Sequence, residues 1–262
     1  MRSVFAIANR ELYAYFVSPI AYVLLAGFFV LSGYFFFYIL SEVSQMALVM
    51  MVMSQQSGQL PPAMDMTNMV LNDYFSIVSM IFLFFIPMMT MGLIAEEKRR
   101  GTIELLFTSP LRNRHIVLGK FLAAVIFFTI MLLPTMIYSV VLYMYSEPKP
   151  LVEPILLAYL GAYLLGGAIL AIGMFISSLT EHQLVAAVLT YVVVLFLVLL
   201  RAVTGVETNF WNELVNNFSL LTHFSDFIKG VIDLKHVIYY LSWIILALAA
   251  ASVALEARRW RP

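Results

Sequence analysis

Six long apolar runs dominate the 262-residue sequence and constrain what it can fold into. Each run approaches or exceeds the roughly 20 residues that a helix needs to cross about 30 Å of hydrocarbon. Only 11% of the residues are charged, against about 25% in soluble domains. Because backbone amides in lipid must be hydrogen-bonded within the segment, we interpret all six runs as helices. The predicted spans are residues 19–40, 74–95, 116–145, 155–178, 184–200 and 237–255.

The sequence therefore predicts an all-α polytopic membrane protein that forms a single transmembrane domain over residues 1–262. Pro87 and Pro134 lie inside the second and third spans, where each is expected to bend its helix. Small residues in the fourth span predict close approach of another helix, either within the bundle or across a dimer contact. The glycines concerned are Gly161, Gly166, Gly167 and Gly173.

The distribution of basic residues predicts the orientation. With six spans, both termini lie on the same side as the second and fourth connections. That side carries Arg2, Arg10, Lys98, Arg99, Arg100, Arg112, Arg114, Lys120, Arg258, Arg259 and Arg261. The other side carries only Lys149, Arg201, Lys229 and Lys235. Because cytoplasmic loops are enriched in Lys and Arg, both termini are predicted to be cytoplasmic, with the protein in the cell (inner) membrane.

Residues 1–18 precede the first span and are predicted to form an interfacial amphipathic helix. Arg10 and Glu11 in the middle of this segment argue against a membrane span. At helical spacing one stripe is mostly apolar, which suits a helix lying in the inner leaflet. The alternative is a cytoplasmic extension of the first span. The stripe consists of Phe5, Ala8, Leu12, Tyr15 and Phe16.

The first outer connection, residues 41–73, is rich in methionine and contains the helix breaker QQSGQLPP. Thioethers are soft ligands that select Cu(I), so an outward copper site is one interpretation. Flexible apolar surface is the interpretation that we favour, because methionine also serves that purpose. The candidate copper ligands are Met51, Met53, Met64, Met66 and Met69.

The last outer connection, residues 202–236, is amphipathic and predicts one or two short helices at the outer surface before the sixth span. Its histidines and aspartates allow a metal-site interpretation, because HxxD places both side chains on one helical face. Gly230 separates the two pairs, and we favour a solvated face instead. The residues concerned are His223, Asp226, Asp233 and His236.

Several chemistries are missing from the sequence. Ionisable residues lie at the ends of the predicted spans and not in their interiors, which argues against a proton-driven carrier. The pair Gly119–Lys120 does not belong to a GxxxxGK[ST] phosphate loop, because Arg114 and Phe121 stand where Gly and Ser or Thr are needed. No HExxH metalloprotease motif or GxSxG nucleophile turn occurs either. We therefore expect no enzymatic activity, no cofactor and no ATP site in this chain.

The cytoplasmic loop at residues 96–115 carries the most specific pattern. Glu96 and Arg100 can pair at i,i+4, and Gly101 is a natural helix stop. Thr102 can cap a second, short and mostly apolar helix, and Pro110 begins the next one. An apolar helix outside the membrane requires a partner. The residues alone leave two possibilities, lipid headgroups or a groove of a cytoplasmic protein.

The run EKRRGTIELLFTSP, followed by Gly119–Lys120, resembles the signature of permease subunits of type-2 ABC transporters. The wider layout of an amphipathic N-terminal helix and six spans agrees with this family over essentially the whole chain. Residues 223–242 resemble the GldF-like gliding-motility branch, which has NosY-like relatives in nitrous-oxide-reductase maturation. The methionine-rich outer loop is not part of the signature.

The resemblance implies an ATP-driven exporter in which this chain is the permease subunit. In that family the loop helix is a coupling helix that sits in a groove of a separate ATPase, which binds ATP and Mg. A second permease, identical or homologous, completes the pathway, and membrane lipids surround it; nucleic acid is not a partner. The alternative is a non-transporting scaffold that recruits an ATPase or a surface-assembly partner through the same helix. The coupling residues would be Glu97, Arg100, Gly101, Thr102, Glu104, Leu105, Leu106 and Pro110.

Overall fold

The computed structural model describes residues 2–57, 66–102, 113–146, 149–203 and 217–259. Within these ranges the regular structure is helical, without strands. Six segments of the described chain are long and apolar enough to cross a membrane. The predicted all-α class with six spans is therefore confirmed, and the chain is a multi-pass membrane protein.

The helices are numbered in chain order. They are α1 (Arg2–Val17), α2 (Pro19–Ser57), α3 (Met66–Thr90), α4 (Ala95–Arg99), α5 (Asn113–Leu132), α6 (Met136–Tyr145), α7 (Val152–Leu179), α8 (Gln183–Val203), α9 (Leu220–Ile228) and α10 (Leu234–Arg259). We call the end of the bundle formed by α1, α4 and the start of α5 the loop end, and the end that holds α9 the far end.

The first span is much longer than the sequence analysis predicted. Residues 41–57 were expected to lie in a loop, but α2 continues without interruption from Pro19 to Ser57. Its 39 residues give a length of about 58 Å, against roughly 30 Å of hydrocarbon. The reason is local, because good helix formers such as Glu42, Gln45 and Ala47 follow Leu40 and no breaker occurs before Gly58.

Both proline-containing spans are interrupted. A 3-10 segment at Leu133–Thr135 separates α5 from α6, which confirms the bend expected at Pro134. The second span was predicted to continue to Ala95, but α3 ends at Thr90 and residues 91–94 form turns before α4. Pro87 lies one turn before this break, where its missing N–H removes a helical hydrogen bond.

Helix α7 is the centre of the bundle and packs against α3, α5, α8, α9 and α10. Its glycines allow this close packing. A Cβ at Gly166 would lie 2.2 Å from Phe128 Cζ on α5, and one at Gly173 would lie 2.2 Å from Thr90 Oγ1 on α3. One at Gly161 would lie 2.6 Å from Phe227 Cβ on α9. These three glycines therefore pack against helices of the same chain, and not across a dimer contact.

Candidate functional site

Helix α4 leads into the loop that was predicted to couple to a partner. Arg100 Nη2 lies 2.5 Å from Glu96 Oε1, as the i,i+4 spacing predicts. Gly101 follows in the left-handed region with φ of +69°, which confirms the predicted helix stop. The Thr102 hydroxyl donates to the carbonyl oxygen of Glu97 at 3.4 Å. The entry to the loop is thus a short helix with a defined end.

The apolar part of the loop lies outside the described residues, in the range 103–112. The coupling roles given to four of its residues therefore stay predictions. These residues are Glu104, Leu105, Leu106 and Pro110. The structure instead describes the two stems that hold the loop, α4 before it and α5 after it.

The first stem is anchored to the central helix through one serine. The Ser177 hydroxyl on α7 accepts hydrogen bonds from the backbone N–H groups of Ile94 at 3.2 Å and Ala95 at 3.1 Å. It also donates to the carbonyl oxygen of Met91 at 3.1 Å. These are backbone groups that the break between α3 and α4 removes from regular helical pairing. Ser177 therefore holds the break in one geometry.

A buried lysine adds a second link between α4 and α7. The ammonium group of Lys98 donates to the carbonyl oxygen of Ser178, one residue before the end of α7. The last carbonyls of a helix lack partners within the helix, and a cation is favoured beside them. The first stem is therefore attached to the end of α7 at two neighbouring residues, Ser177 and Ser178.

The second stem is tied to the first by a cluster of four charges. Lys120 on α5 is only 2% exposed, and its Nζ lies 3.1 Å from Glu11 Oε1 and 3.0 Å from Glu97 Oε1. Arg10 Nη2 lies 2.7 Å from Glu11 Oε1 and 3.1 Å from Glu97 Oε1. We call these four residues the ionic clamp. It joins α1, α4 and α5, and so closes the base of the loop.

The charges of the ionic clamp depend on one another. A buried ammonium group is costly unless it is paired, and two carboxylates pair with Lys120. Burial alone would raise the pKa of the Glu11 carboxyl, but Lys120 and Arg10 outweigh burial and hold that pKa below its ordinary value. The stabilisation from Glu11 is therefore complete above the ordinary carboxyl pKa and is lost as the pH falls through the lowered value.

A glycine next to Lys120 allows α1 to reach α5. A Cβ at Gly119 would lie 2.7 Å from Ile7 Cβ and 3.0 Å from the carbonyl oxygen of Val4. The absence of a side chain at this position lets α1 cross α5 closely enough for Glu11 to meet Lys120. The pair Gly119–Lys120, which is no phosphate loop, thus has a structural role in docking α1.

Helix α1 is separate from α2, because Ser18 interrupts the chain between them. Ile7 and Ala8 are buried, whereas Phe5 of the predicted apolar stripe is 64% exposed, as a side chain that faces lipid would be. Tyr15 stacks on Phe127 of α5 with ring centroids 5.0 Å apart. One side of α1 therefore packs on a protein helix, and the placement of α1 in the inner leaflet stays a prediction.

The Tyr15 hydroxyl links α1 to the end of α3 as well. It donates to the carbonyl oxygen of Met89 at 3.2 Å. Burial is the main cause that raises the pKa of Tyr15, and the charges of Glu11 and Glu96 act in the same direction. The phenol therefore keeps its proton at neutral pH and remains a hydrogen-bond donor.

Sequence reasoning identified Glu97 but missed the other members of the ionic clamp. Arg10 and Glu11 were read only as an argument against a span, and Lys120 as a charge at a span end. The positions of Glu11 and Lys120 in the sequence could have indicated this pairing. Glu11 lies beside an apolar stripe and Lys120 lies in the first turns of a span, and a charge in either place requires a partner.

The candidate copper ligands do not form a described site. Met51 and Met53 are exposed on the C-terminal part of α2, and Met69 lies on α3. Met64 lies outside the described residues, and Met66 is the first residue of α3. The copper interpretation therefore stays a prediction.

The histidines of the far end lie together, but not as a metal site or a solvated face. His223 and His236 are only 8% and 4% exposed, so the preferred solvated interpretation is wrong for both. Their ring centroids lie 4.9 Å apart. His236 Nε2 lies 2.9 Å from Asp226 Oδ2, whereas Asp233 pairs with Lys235. Among the described residues, no group of three or more His, Cys, Asp or Glu side chains could hold a metal ion.

These side chains instead hold α9 on α10. His223 stacks on Tyr239 with centroids 3.8 Å apart and an interplanar angle of 9°. The Tyr239 hydroxyl donates to the carbonyl oxygen of Phe218, and that of Tyr240 to Leu220, each at 2.7 Å. Because α9 also packs on α7, this pair of helices closes the far end of the bundle.

Acidification is expected to loosen α9. Burial is the largest cause that lowers the pKa of His223 below its ordinary value, and the nearby His236 and Lys235 lower it further. The hydrogen bond with the Ser219 backbone and the charge of Asp226 raise this pKa, but they do not outweigh the lowering. A histidine with a lowered pKa stabilises the native state above its ordinary pKa, and this stabilisation is lost as the pH falls through the lowered value.

Hydrogen exchange of residues 220–228 measures this effect. After correction for the intrinsic exchange rate at each pH, we expect these amides to be less protected below about pH 6.5, the ordinary value for histidine, than above it. His223→Gln should remove the pH dependence, and His182→Gln, which changes an exposed histidine, should keep it. An unchanged pH profile in His223→Gln would contradict the assignment.

A known protein family matches nearly the whole chain. The profile described as "ABC-2 family transporter protein" matches residues 5–259. The chain belongs to this family. No curated protein gives a significant match. The matched range includes α1, both stems of the loop and all six spans, so the ionic clamp lies within the family domain.

Membership in the ABC-2 family has direct consequences. It identifies the chain as the membrane permease subunit of an ABC transporter, which is not itself an ATPase. It also implies an ATPase partner. Of the predicted coupling residues, Glu97 lies in the first stem, and Arg100, Gly101 and Thr102 follow it within the described part of the chain.

Proposed function

We propose that this chain is the permease subunit of an exporter in the cell (inner) membrane, with both termini in the cytoplasm, and that the loop at residues 96–115 forms its contact with the ATPase. ATP and Mg would be bound by that ATPase. Two permeases, identical or homologous, would form the pathway. The resemblance of residues 223–242 to the GldF-like and NosY-like branch supports a place near those transporters.

The observation that supports the coupling role most is the ionic clamp. Glu97 precedes the loop and Lys120 follows it, and the two side chains meet at 3.0 Å. A force on the loop therefore acts on both stems together. From there it reaches α1 through Glu11 and α7 through Lys98. A loop that only touched lipid headgroups would not require such bracing.

Loss of the ATPase subunit on purification is the central test of this proposal. We expect the double variant Glu104→Lys with Leu105→Asp to retain about tenfold less copurified ATPase, because a few buried side chains dominate most interfaces. A new charge in an apolar groove is also costly. The measurement is quantitative mass spectrometry of a tagged pull-down from native membranes.

Glu256→Lys is the matched control, since it reverses an exposed charge near the end of α10. This control should retain the ATPase. An undiminished complex in the double variant would contradict the coupling role. If the complex hydrolyses ATP without any response to a transported compound, the scaffold alternative is favoured over the exporter.

A further inference from the structure

A cavity of about 180 Å³ lies at the loop end, where α3 is interrupted. Residues 91–93 form one wall, and α1, α2, the end of α3, α4 and the start of α8 form the others. In membrane proteins, irregular backbone within a span is tolerated where it is buried in protein or lines a cavity. Interrupted spans of this kind often form ligand sites. The break between α3 and α4 therefore has the backbone geometry of a ligand site.

One part of the cavity is apolar and continuous with the surface of the bundle. Leu24, Met88 and Met91 belong to its lining, and Met88 is 47% exposed. Methionine adapts its shape to different apolar groups and is frequent in surfaces that accept several ligands. An alkyl chain can therefore lie along α2 and α3 and enter the cavity from the lipid side.

The opposite part is polar and carries carboxylates. Glu11, Glu96 and Gln183 line it, and among the described lining residues there is no lysine or arginine. Glu96 uses Oε1 for Arg100, and its Oε2 lies 3.3 Å from the position of a Cβ at Gly92. Gln183 Nε2 lies 3.6 Å from the same position. Because Gly92 has no side chain, it leaves this corner open.

We propose that the cavity binds an amphiphile with an ammonium headgroup. Because Glu11 is already paired with Lys120 and Arg10, the headgroup would donate its hydrogen bond to Glu96 Oε2. Its alkyl chain would lie against Leu24 and Met88. Charge-assisted hydrogen bonds are the strong kind, and few well-placed polar groups in an apolar wall are typical of small-molecule sites. The ammonium group has two possible sources, a bilayer lipid such as phosphatidylethanolamine or a free alkylamine.

This proposal names a substrate class for the proposed exporter. The claim that the bound amphiphile is transported rests on the proposed function. Binding itself is tested without nucleotide and without the ATPase, so its failure is distinguishable from failure of the coupling role. The chain is reconstituted in phosphatidylcholine nanodiscs with the photo-crosslinker p-benzoylphenylalanine in place of Met88. A second preparation carries it in place of Leu118, an exposed apolar residue of α5 outside the cavity.

The probes are dodecylamine, uncharged dodecanol and, in a third arm, phosphatidylethanolamine added to the nanodisc. We expect dodecylamine to label the Met88 position several-fold more than dodecanol does, and more than it labels the Leu118 position. Glu96→Gln should lower this labelling about tenfold, the size expected for one hydrogen bond to a charged group. Labelling by phosphatidylethanolamine assigns the site to a bilayer lipid, and labelling by dodecylamine alone assigns it to a free amine.

Arg100→Gln is the matched control, because it breaks the same ion pair as Glu96→Gln without altering a lining residue. It should maintain or raise the labelling at the Met88 position, because Arg100 then no longer competes with the headgroup for Glu96. Equal loss in both variants would overturn the proposal, since the ion pair and not the carboxylate would then matter. Equal labelling by dodecanol, or equal labelling at the Leu118 position, would overturn it as well.

Discussion

Replacing Lys120 with methionine is expected to lower the free energy of unfolding by about 3–5 kcal/mol, the usual cost of removing one partner of a buried ion pair. The ammonium group is 2% exposed and meets two carboxylates. Methionine would fill a similar volume but would leave Glu11 and Glu97 beside each other, with only Arg10 to pair them. Thermal unfolding in detergent and chemical unfolding in mixed micelles measure this loss.

Two further variants separate the buried charge from a general effect of losing a lysine. Lys235→Met removes a lysine whose side chain is 66% exposed and pairs with Asp233, and it should cost far less than Lys120→Met because water screens exposed pairs. Combining Lys120→Met with Glu11→Gln and Glu97→Gln should restore part of the lost stability, because the repelling carboxylates are gone. If Lys120→Met and Lys235→Met cost the same, the clamp is not a buried ionic unit.

The same variants test coupling. In the complex with its ATPase, the restored triple variant should keep the fold but lose the tie between the two stems of the loop. We therefore expect ATP hydrolysis to continue while transport falls, since the loop would then move without moving α1. Equal transport per ATP in the triple variant and in the unmodified complex would contradict the role proposed for the clamp.

Replacing Gly166 with alanine is expected to destabilise the bundle by about 1–3 kcal/mol, the usual cost of overpacking a core. The new methyl group would lie 2.2 Å from Phe128 Cζ. Phe128 is fully buried and packs edge-on against Phe82 at 5.1 Å, so its ring cannot simply swing away. Either α5 must move away from α7, or the ring must leave its packed position.

Gly167→Ala is the matched control, because it makes the same change one residue along the same helix. Its Cβ would lie 3.4 Å from Ile244 Cδ1, an ordinary contact. Alanine is the better helix former, so this variant should be neutral or slightly stabilising. Phe128→Leu should lessen the cost of Gly166→Ala in a double-mutant cycle. Purely additive effects in that cycle would contradict the packing explanation.

The features that follow from local rules could be predicted from the sequence. The spans follow from the length of the apolar runs, Pro19 begins α2, and Gly101 ends the first stem of the loop. The extension of α2 to Ser57 was missed for a simple reason. The change from apolar to polar residues after Leu40 indicates where the hydrocarbon ends, but it does not end the helix, because good helix formers follow it.

The pairings between distant segments could not be predicted. Arg10 and Glu97 are 87 positions apart in the chain, and periodicity gives the face of a helix but not the neighbour that covers it. The same limit explains the far end, where HxxD spacing placed His223 and Asp226 on one face. Only the fold shows that Asp226 pairs with His236 and that Tyr239 stacks on His223.

The length of α2 gives the bundle a lever arm. The helix starts directly after Ser18, where α1 ends, and runs without interruption to Ser57. Over about 58 Å, a tilt of roughly 5° at Ser18 displaces the other tip by about 5 Å. If α2 turned about Ser18 as one straight helix, a small rotation there would therefore displace its far tip by several ångströms on the opposite side of the membrane.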